Sequence, residues 1–264
     1  MSRISERLEN NIKIGRKSLA TFITAGDPDL ETTIELVKVM EEAGADVVEF
    51  GIPFSDPMAE GPVIQRASVR ALKNNIKLKD IYNSVKEIRK TSQIPLAFML
   101  YYNIIFKYGI ERFFKECKEA GVDGVIIPDL PFEEKGEISE IAKQYGVDVV
   151  LLVAPTSDER VEKIAAASEG FLYCVSSLGV TGVRSEFKTD FEGFFNKINK
   201  TCKIPKLLGF GISTPEQVLE LKNYSDGVIV GSAIVRAVEG AKDQAEAKEN
   251  VRRLVKSLRS ALDK

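Results

Sequence analysis

Residues 46–62 read DVVEFGIPFSDPMAEGP, a short apolar strand, Asp46 to Phe50, that breaks at once into a loop carrying Gly51, Pro53, Pro57, Gly61 and Pro62. One carboxylate, Glu49, is set among Val47, Val48 and Phe50. A carboxylate at the end of a buried strand is costly unless it is hydrogen-bonded or its pKa is raised. A pKa raised toward the working pH is what a general acid–base group needs. Two readings of Glu49 follow: a buried acid satisfied by neighbouring backbone, or a proton-transfer group. The loop adds two carboxylates, Asp56 and Glu60, within reach of the same cleft.

Outward from this stretch the chain alternates. Upstream lie a helical face at Ile4, Leu8 and Ile12, a strand Ser18 to Ala25 ended by Gly26-Asp27-Pro28, and a helix Leu30 to Ala43 stopped by Gly44. Downstream, residues 64–89 read as helix in two pieces. Strands follow at 95–102, 122–128, 147–153, 170–176, 206–210 and 227–230. Helices are predicted at 110–120, 133–145, 158–167, 191–200, 215–222 and 245–262. The strands VVEF, GVIIP, VVLLV and GVIVG are near-continuous apolar runs, as in a parallel sheet buried on both faces. About eight strand–helix units in about 250 residues is the size of an α/β chain closed into a (β/α)8 TIM barrel, with one additional N-terminal helix. An open doubly wound sheet is the alternative. No Pro/Gly/Ser-rich linker divides residues 1–264, which predicts a single barrel domain.

Composition removes several classes of function. With 37 basic and 39 acidic residues the formal net charge is −2, which leaves no footprint for nucleic acid or an anionic membrane. Three widely separated cysteines, Cys117, Cys174 and Cys202, fit neither a disulfide framework nor a zinc cluster. Nothing resembles a signal peptide or a spanning helix, so a cytoplasmic protein is expected. Histidine is absent, which excludes histidine triads and leaves carboxylates, Tyr and Lys for proton transfer.

In a barrel the active groups sit beyond the C-terminal ends of the strands, which is where Glu49 would be displayed. The longest such loops are 51–62 and 177–190. Gly209-Phe210-Gly211 follows the seventh strand, and Gly231-Ser232 follows the eighth, just ahead of a short helical stretch. Glycines that admit backbone N–H groups, beside a helix N-terminus, suit a phosphate, and Ser232 can add a hydroxyl donor. Gly179-Val180-Thr181-Gly182 could close on the same anion. The plain alternative is that these glycines serve turn geometry. Phe22, Tyr101, Tyr173 and Phe210 are aromatic candidates for a flat substrate, against the reading that they are barrel core.

The phrases EFGIPFSDPMAEGPVIQ (49–65), TFITAGDPD (21–29), SSLGVTGVR (176–184), GFGISTPEQV (209–218) and GVIVGSAIV (227–235) come in an order and spacing that resemble the α subunit of tryptophan synthase, over essentially the whole chain. The resemblance implies a barrel that cleaves indole-3-glycerol phosphate to indole and glyceraldehyde 3-phosphate, with no metal or cofactor on this chain. It further implies a pyridoxal-phosphate β subunit that receives the indole, in an assembly of two α and two β chains. Carried over by position, Glu49 matches the principal acid–base residue, Glu60 the second catalytic carboxylate, and Tyr173 a tyrosine near the first. Gly182, Gly211, Gly231 and Ser232 match the phosphate cradle. Phe22, Tyr101, Thr181 and Phe210 match residues around the indole. The β-facing positions would be Pro53, Asp56, Pro57, Asn103, Phe106 and Pro131.

Two positions depart from the family pattern: Glu60 stands where Asp is usual, and Ser177 where Arg is usual. The extra methylene of Glu60 could displace its carboxylate by about 1 Å, and misplacement on that scale can cost on the order of 100-fold in rate. Two rival readings are a related phosphosugar barrel with another acid–base pair, and a non-catalytic partner of the β subunit.

Overall fold

In the computed structural model, whose described residues are 1–157, 160–175 and 190–264, the apolar runs form eight parallel strands. They are β1 (Ser18–Thr24), β2 (Val47–Gly51), β3 (Leu96–Met99), β4 (Gly124–Ile126), β5 (Asp148–Val153), β6 (Leu172–Val175), β7 (Lys206–Gly209) and β8 (Gly227–Val230). Each pairs with its sequence neighbour, and β1 pairs with β8, so the sheet closes on itself and the open-sheet alternative falls. The helices are α1 (Arg3–Lys13), α2 (Leu30–Glu42), α3 (Pro62–Leu72), α4 (Leu78–Arg89), α5 (Tyr102–Tyr108), α6 (Ile110–Ala120), α7 (Gly136–Tyr145), α8 (Arg160–Ala166), α9 (Phe191–Asn199), α10 (Pro215–Leu221), α11 (Ser232–Glu239) and α12 (Gln244–Leu262). No described helix is long and apolar enough to cross a membrane.

Alternation along each strand sorts the core into two layers. Leu19, Ile23, Val48, Phe50, Phe98 and Val125 join the large cluster between sheet and helices. Ala20, Val47, Ala97, Ile126, Val150, Tyr173, Leu207 and Ile229 form a second cluster inside the barrel. Ile4 and Leu8 of α1 belong to that inner cluster, so the additional helix plugs the N-terminal mouth of the barrel. Gly124 makes room for the plug: a β-carbon there would stand 2.9 Å from Ile4. Ile12, expected on the same buried face, is instead 44% exposed, because the buried face passes from Leu8 to Asn11, which donates to the Ser18 hydroxyl.

The N-terminal end is tied by aspartates at the openings of strands. Asp46 accepts from the Leu19 amide at 2.9 Å, Asp123 from Leu96 at 2.9 Å, and Asp226 from Lys206 at 2.9 Å. Each holds the first turn of the strand before it. The phrases Ala43-Gly44-Ala45-Asp46 and Ala120-Gly121-Val122-Asp123 therefore do more than stop a helix. Gly121 provides the left-handed helix end (φ 90°), and Asp123 then caps the neighbouring strand.

Three differences from the expected strand limits bear on the site. β2 runs to Gly51, so Glu49 is two residues short of the strand's end. β3 stops at Met99, and residues 102–108 turn into α5, whose first turn begins at Tyr101 as N-cap. β4 keeps only Gly124–Ile126 of the predicted 122–128.

Candidate active site

Glu49 shares the inner face of β2 with Val47 and is fully buried. Its register partners are Phe22 on β1 and Ala97 on β3. Among the described residues neither of its carboxylate oxygens has a hydrogen-bond partner. Burial alone therefore pushes its pKa up to about 8 from an ordinary value of 4.5. Of the two readings open at the sequence level, the backbone-satisfied acid is not what the chain builds. At neutral pH Glu49 carries a proton.

A cleft opens over Glu49, lined also by Phe22, Glu60, Tyr173, Phe210, Gly211, Gly231 and Ser232. Most residues expected at the site thus meet at one place. Tyr173 lies on β6 with its ring 5.7 Å from that of Phe210, edge to face. Its phenol is pushed well above the usual range, first by burial and then by the charge of Glu49 when that group ionises, so it keeps its proton. Phe210 itself takes a left-handed backbone (φ 71°), followed by Gly211 (φ 82°). Two such residues in a row turn the chain sharply over the barrel mouth, and an unfavourable φ held at a non-glycine residue is a common mark of a ligand site. The turn is braced by Gln217, whose Oε1 accepts from the Ser213 amide at 2.8 Å and the Ser213 hydroxyl at 3.0 Å.

Gly231 is the N-cap of α11, and no side chain caps that end among the described residues. The free N–H groups of a first helical turn, with the positive end of its dipole, then face the cleft beside Ser232. An anion is the natural ligand for such an arrangement.

Some expected residues stand elsewhere. Tyr101 is buried but is not among the residues lining the cleft; its hydroxyl donates to Glu60. Thr181, Gly182 and Ser177 lie outside the described residues, as does most of the 177–190 loop. Of the partner-facing positions, Asp56, Asn103, Phe106 and Pro131 are exposed and Pro57 is half-buried, but Pro53 is buried within the chain itself. Sequence reasoning missed Ile64, Met99, Ile212 and Ile229, which also line the cleft. A period-2 signal was available for two of them: Met99 follows inward-facing Ala97 by two residues, and Ile229 precedes Gly231 by two.

A closed (β/α) barrel with a buried acid at its C-terminal face, between an aromatic wall and an uncapped helix N-terminus, defines a class: an acid–base enzyme that grips an anionic substrate. The sequence pattern of the tryptophan synthase alpha chain family matches residues 8–263, and the chain belongs to that family. It is 50% identical to the tryptophan synthase alpha chain of Thermoanaerobacter sp. (strain X514) over 262 residues, 99% of this chain and all of that one. It is 46% identical to that of Clostridium kluyveri over the whole of both chains. The solved tryptophan synthase subunit alpha of Legionella pneumophila str. Paris superposes with a TM-score of 0.87 at 38% identity, covering 100% of this chain and 99% of that one. A structure of Mycobacterium tuberculosis tryptophan synthase superposes with a TM-score of 0.89 at 31% identity, covering 99% of this chain and 98% of the other.

Proposed function

We infer that this chain is a tryptophan synthase α subunit that cleaves indole-3-glycerol phosphate to indole and glyceraldehyde 3-phosphate. It works without a cofactor of its own and hands indole to a pyridoxal-phosphate β subunit in an assembly of two α and two β chains. The observation that carries the residue assignment is Glu49: a buried carboxyl with no hydrogen-bond partner among the described residues, protonated at neutral pH, over a cleft with an aromatic wall and an anion seat.

The chemistry follows from that proton. Indole is a poor leaving group as a carbanion, but protonated at C3 it departs as a neutral ring. Glu49 gives its proton to C3, and positive charge spreads to the ring nitrogen. Glu60, on the cleft wall, accepts a hydrogen bond from that N–H as the charge develops. Glu49, now a buried carboxylate, takes the proton of the adjacent glycerol hydroxyl. The C–C bond breaks, its electron pair returns to the indole ring, and the oxygen becomes an aldehyde. The proton count closes with Glu49 protonated again. Phe22 and Phe210 flank the ring, Tyr173 lies near the shuttling acid, and Gly211, Gly231 and Ser232 hold the phosphate. The phosphate is remote from the bond broken, so its binding serves orientation.

The exposed Phe106 (66%), with Asp56, Asn103 and Pro131, supports a β-facing surface around the loops after β2, β3 and β4. A cytoplasmic location fits three free, buried cysteines, which a reducing compartment leaves unpaired. The test is direct: purified chain plus indole-3-glycerol phosphate, with released indole measured, alone and with a β subunit. Binding of the β subunit without any indole release from either sample would favour the non-catalytic partner instead.

A further inference from the structure

Tyr101 has no hydrogen-bonding capacity left over. A phenol hydroxyl has one proton and two acceptor sites. Here it accepts from the Met58 and Ala59 amides, both at 2.8 Å, and donates to Glu60 Oε2. Its ring packs on Phe54 at 5.3 Å. One side chain therefore grips the loop after β2 at its start and along the three residues that end in the second carboxylate. The grip is mounted on a fixed base. Tyr101 is 3% exposed and is the N-cap of α5, and the next residue's amide donates to Asp129 at 2.9 Å.

We propose that Tyr101 is a positioning residue matched to the length of Glu60: it latches the 54–60 loop and sets that carboxylate at the cleft wall. This rests on the function inferred above. Glu60 lines the cleft and Tyr101 does not, and the Tyr101 hydroxyl donates to that carboxylate, so its effect on the substrate is assigned to Glu60. Shortening Glu60 by one methylene withdraws its oxygens by roughly one C–C bond, about 1.5 Å. Hydrogen bonds do not survive that stretch, so an Asp at this position either leaves Tyr101 or drags the loop with it. Burial first, and then the bond to Glu60, push the Tyr101 phenol up to about 12, so it remains a donor through the working range.

The test compares wild type, Tyr101→Phe, Glu60→Asp and the double variant. Tyr101→Phe should lower kcat about tenfold with KM within about twofold, because the phosphate seat is untouched. Glu60→Asp should lower kcat similarly, and the double variant should be no worse than the worse single, since both remove one coupled pair. Multiplying losses, or a Tyr101→Phe variant that raises KM at unchanged kcat, would overturn the assignment. Hydrogen exchange gives a readout independent of turnover: the Met58 and Ala59 amides should lose tenfold or more protection in Tyr101→Phe. A wild-type chain that releases no indole would sink the inferred function, while unchanged exchange at these two amides would sink the latch.

Discussion

Phe22 and Glu49 are register partners across β1 and β2, both on the inner face of the barrel. The ring of Phe22 lies over Gly51, where a β-carbon would come within 2.3 Å of it. The glycine that ends β2 thus lets an aromatic ring close in beside the acid two residues earlier. The ring lines the same cleft as Glu49, whose pKa burial pushes up to about 8.

If the ring sets the acidity, removing it should retune the enzyme. With a protonated Glu49 as the active form, kcat/KM falls as pH rises through about 8. Phe22→Ala should move that alkaline limb down by about one unit or more as solvent reaches the carboxylate. Phe22→Leu, which keeps most of the apolar cover, should move it much less. A limb that stays in place in Phe22→Ala, measured on protein shown to be folded, would mean that other walls keep Glu49 dry.

Glu49→Gln keeps shape but cannot pass a proton. Cleavage should fall by the 10²–10⁴-fold expected for a general acid–base group, and retention of about a tenth of the rate would remove Glu49 from that role. The same variant should be the more stable protein in alkali. The folded-state pKa of Glu49 lies above its unfolded value, so its contribution to stability is fully present below about 4.5 and is lost as pH rises through about 8. Gln does not titrate. Urea unfolding should therefore find the two proteins close at pH 4.5 and Glu49→Gln ahead at pH 9, by at most on the order of 5 kcal/mol. A difference that does not grow with pH would contradict the burial of an unpartnered acid.

The barrel was legible in the sequence because each of its strands is a buried apolar run punctuated by glycine and aspartate, a signal local to a few residues. Glu49, Phe22, Tyr173, Phe210, Gly211, Gly231 and Ser232 were legible as strand-end residues, and closure of the sheet brings them to one cleft. What escaped depends on contacts between distant segments. Tyr101 reads locally as the end of an apolar strand, but its role is fixed by a loop some forty residues earlier. Ile4 and Leu8 read as one face of a surface helix, and only ring closure creates the opening they fill. Pro53 reads as a loop residue, yet the chain folds over it.

The opposite end of the barrel should behave as structure alone. Asp46 is fully buried, accepts from the Leu19 amide, and pairs with Arg16 at 2.7 Å and Arg259 at 3.3 Å. Breaking a buried charge pair from one side typically costs 3–5 kcal/mol, because the remaining charge stays buried. Asp46→Asn keeps an oxygen for Leu19 but takes the buried counter-charge from Arg259, itself 7% exposed, and leaves it only the half-exposed Asp263 at 2.6 Å. Unfolding free energy should drop by about 3 kcal/mol while KM, measured where the variant is folded, is unchanged. A variant that loses substrate binding at full stability would show that the two ends of the barrel are coupled.

Glycines around the barrel differ in whether packing requires them. A β-carbon at Gly209 would stand 2.7 Å from the Tyr173 ring, and one at Gly227 would stand 2.3 Å from the Ser18 carbonyl oxygen. Packing requires glycine at both. Gly231 differs: its φ of −116° suits any residue, and a β-carbon there would meet Phe22 only at ordinary distances of 3.4 Å and beyond. Neither backbone nor neighbours account for glycine at the head of α11. What a methyl group would obstruct is the approach of an anion to the first N–H groups of that helix. Gly231→Ala should therefore leave the melting temperature within a degree or two of wild type, or raise it slightly by restricting the unfolded chain. KM for indole-3-glycerol phosphate should rise about tenfold or more with kcat within about threefold, since the phosphate is held alike in ground and transition states. Inorganic phosphate, competing for the same seat, should inhibit wild type and lose potency in the variant in parallel with KM. Unchanged KM and phosphate inhibition would place the anion elsewhere, and a fall in kcat at constant KM would assign Gly231 to the reacting centre.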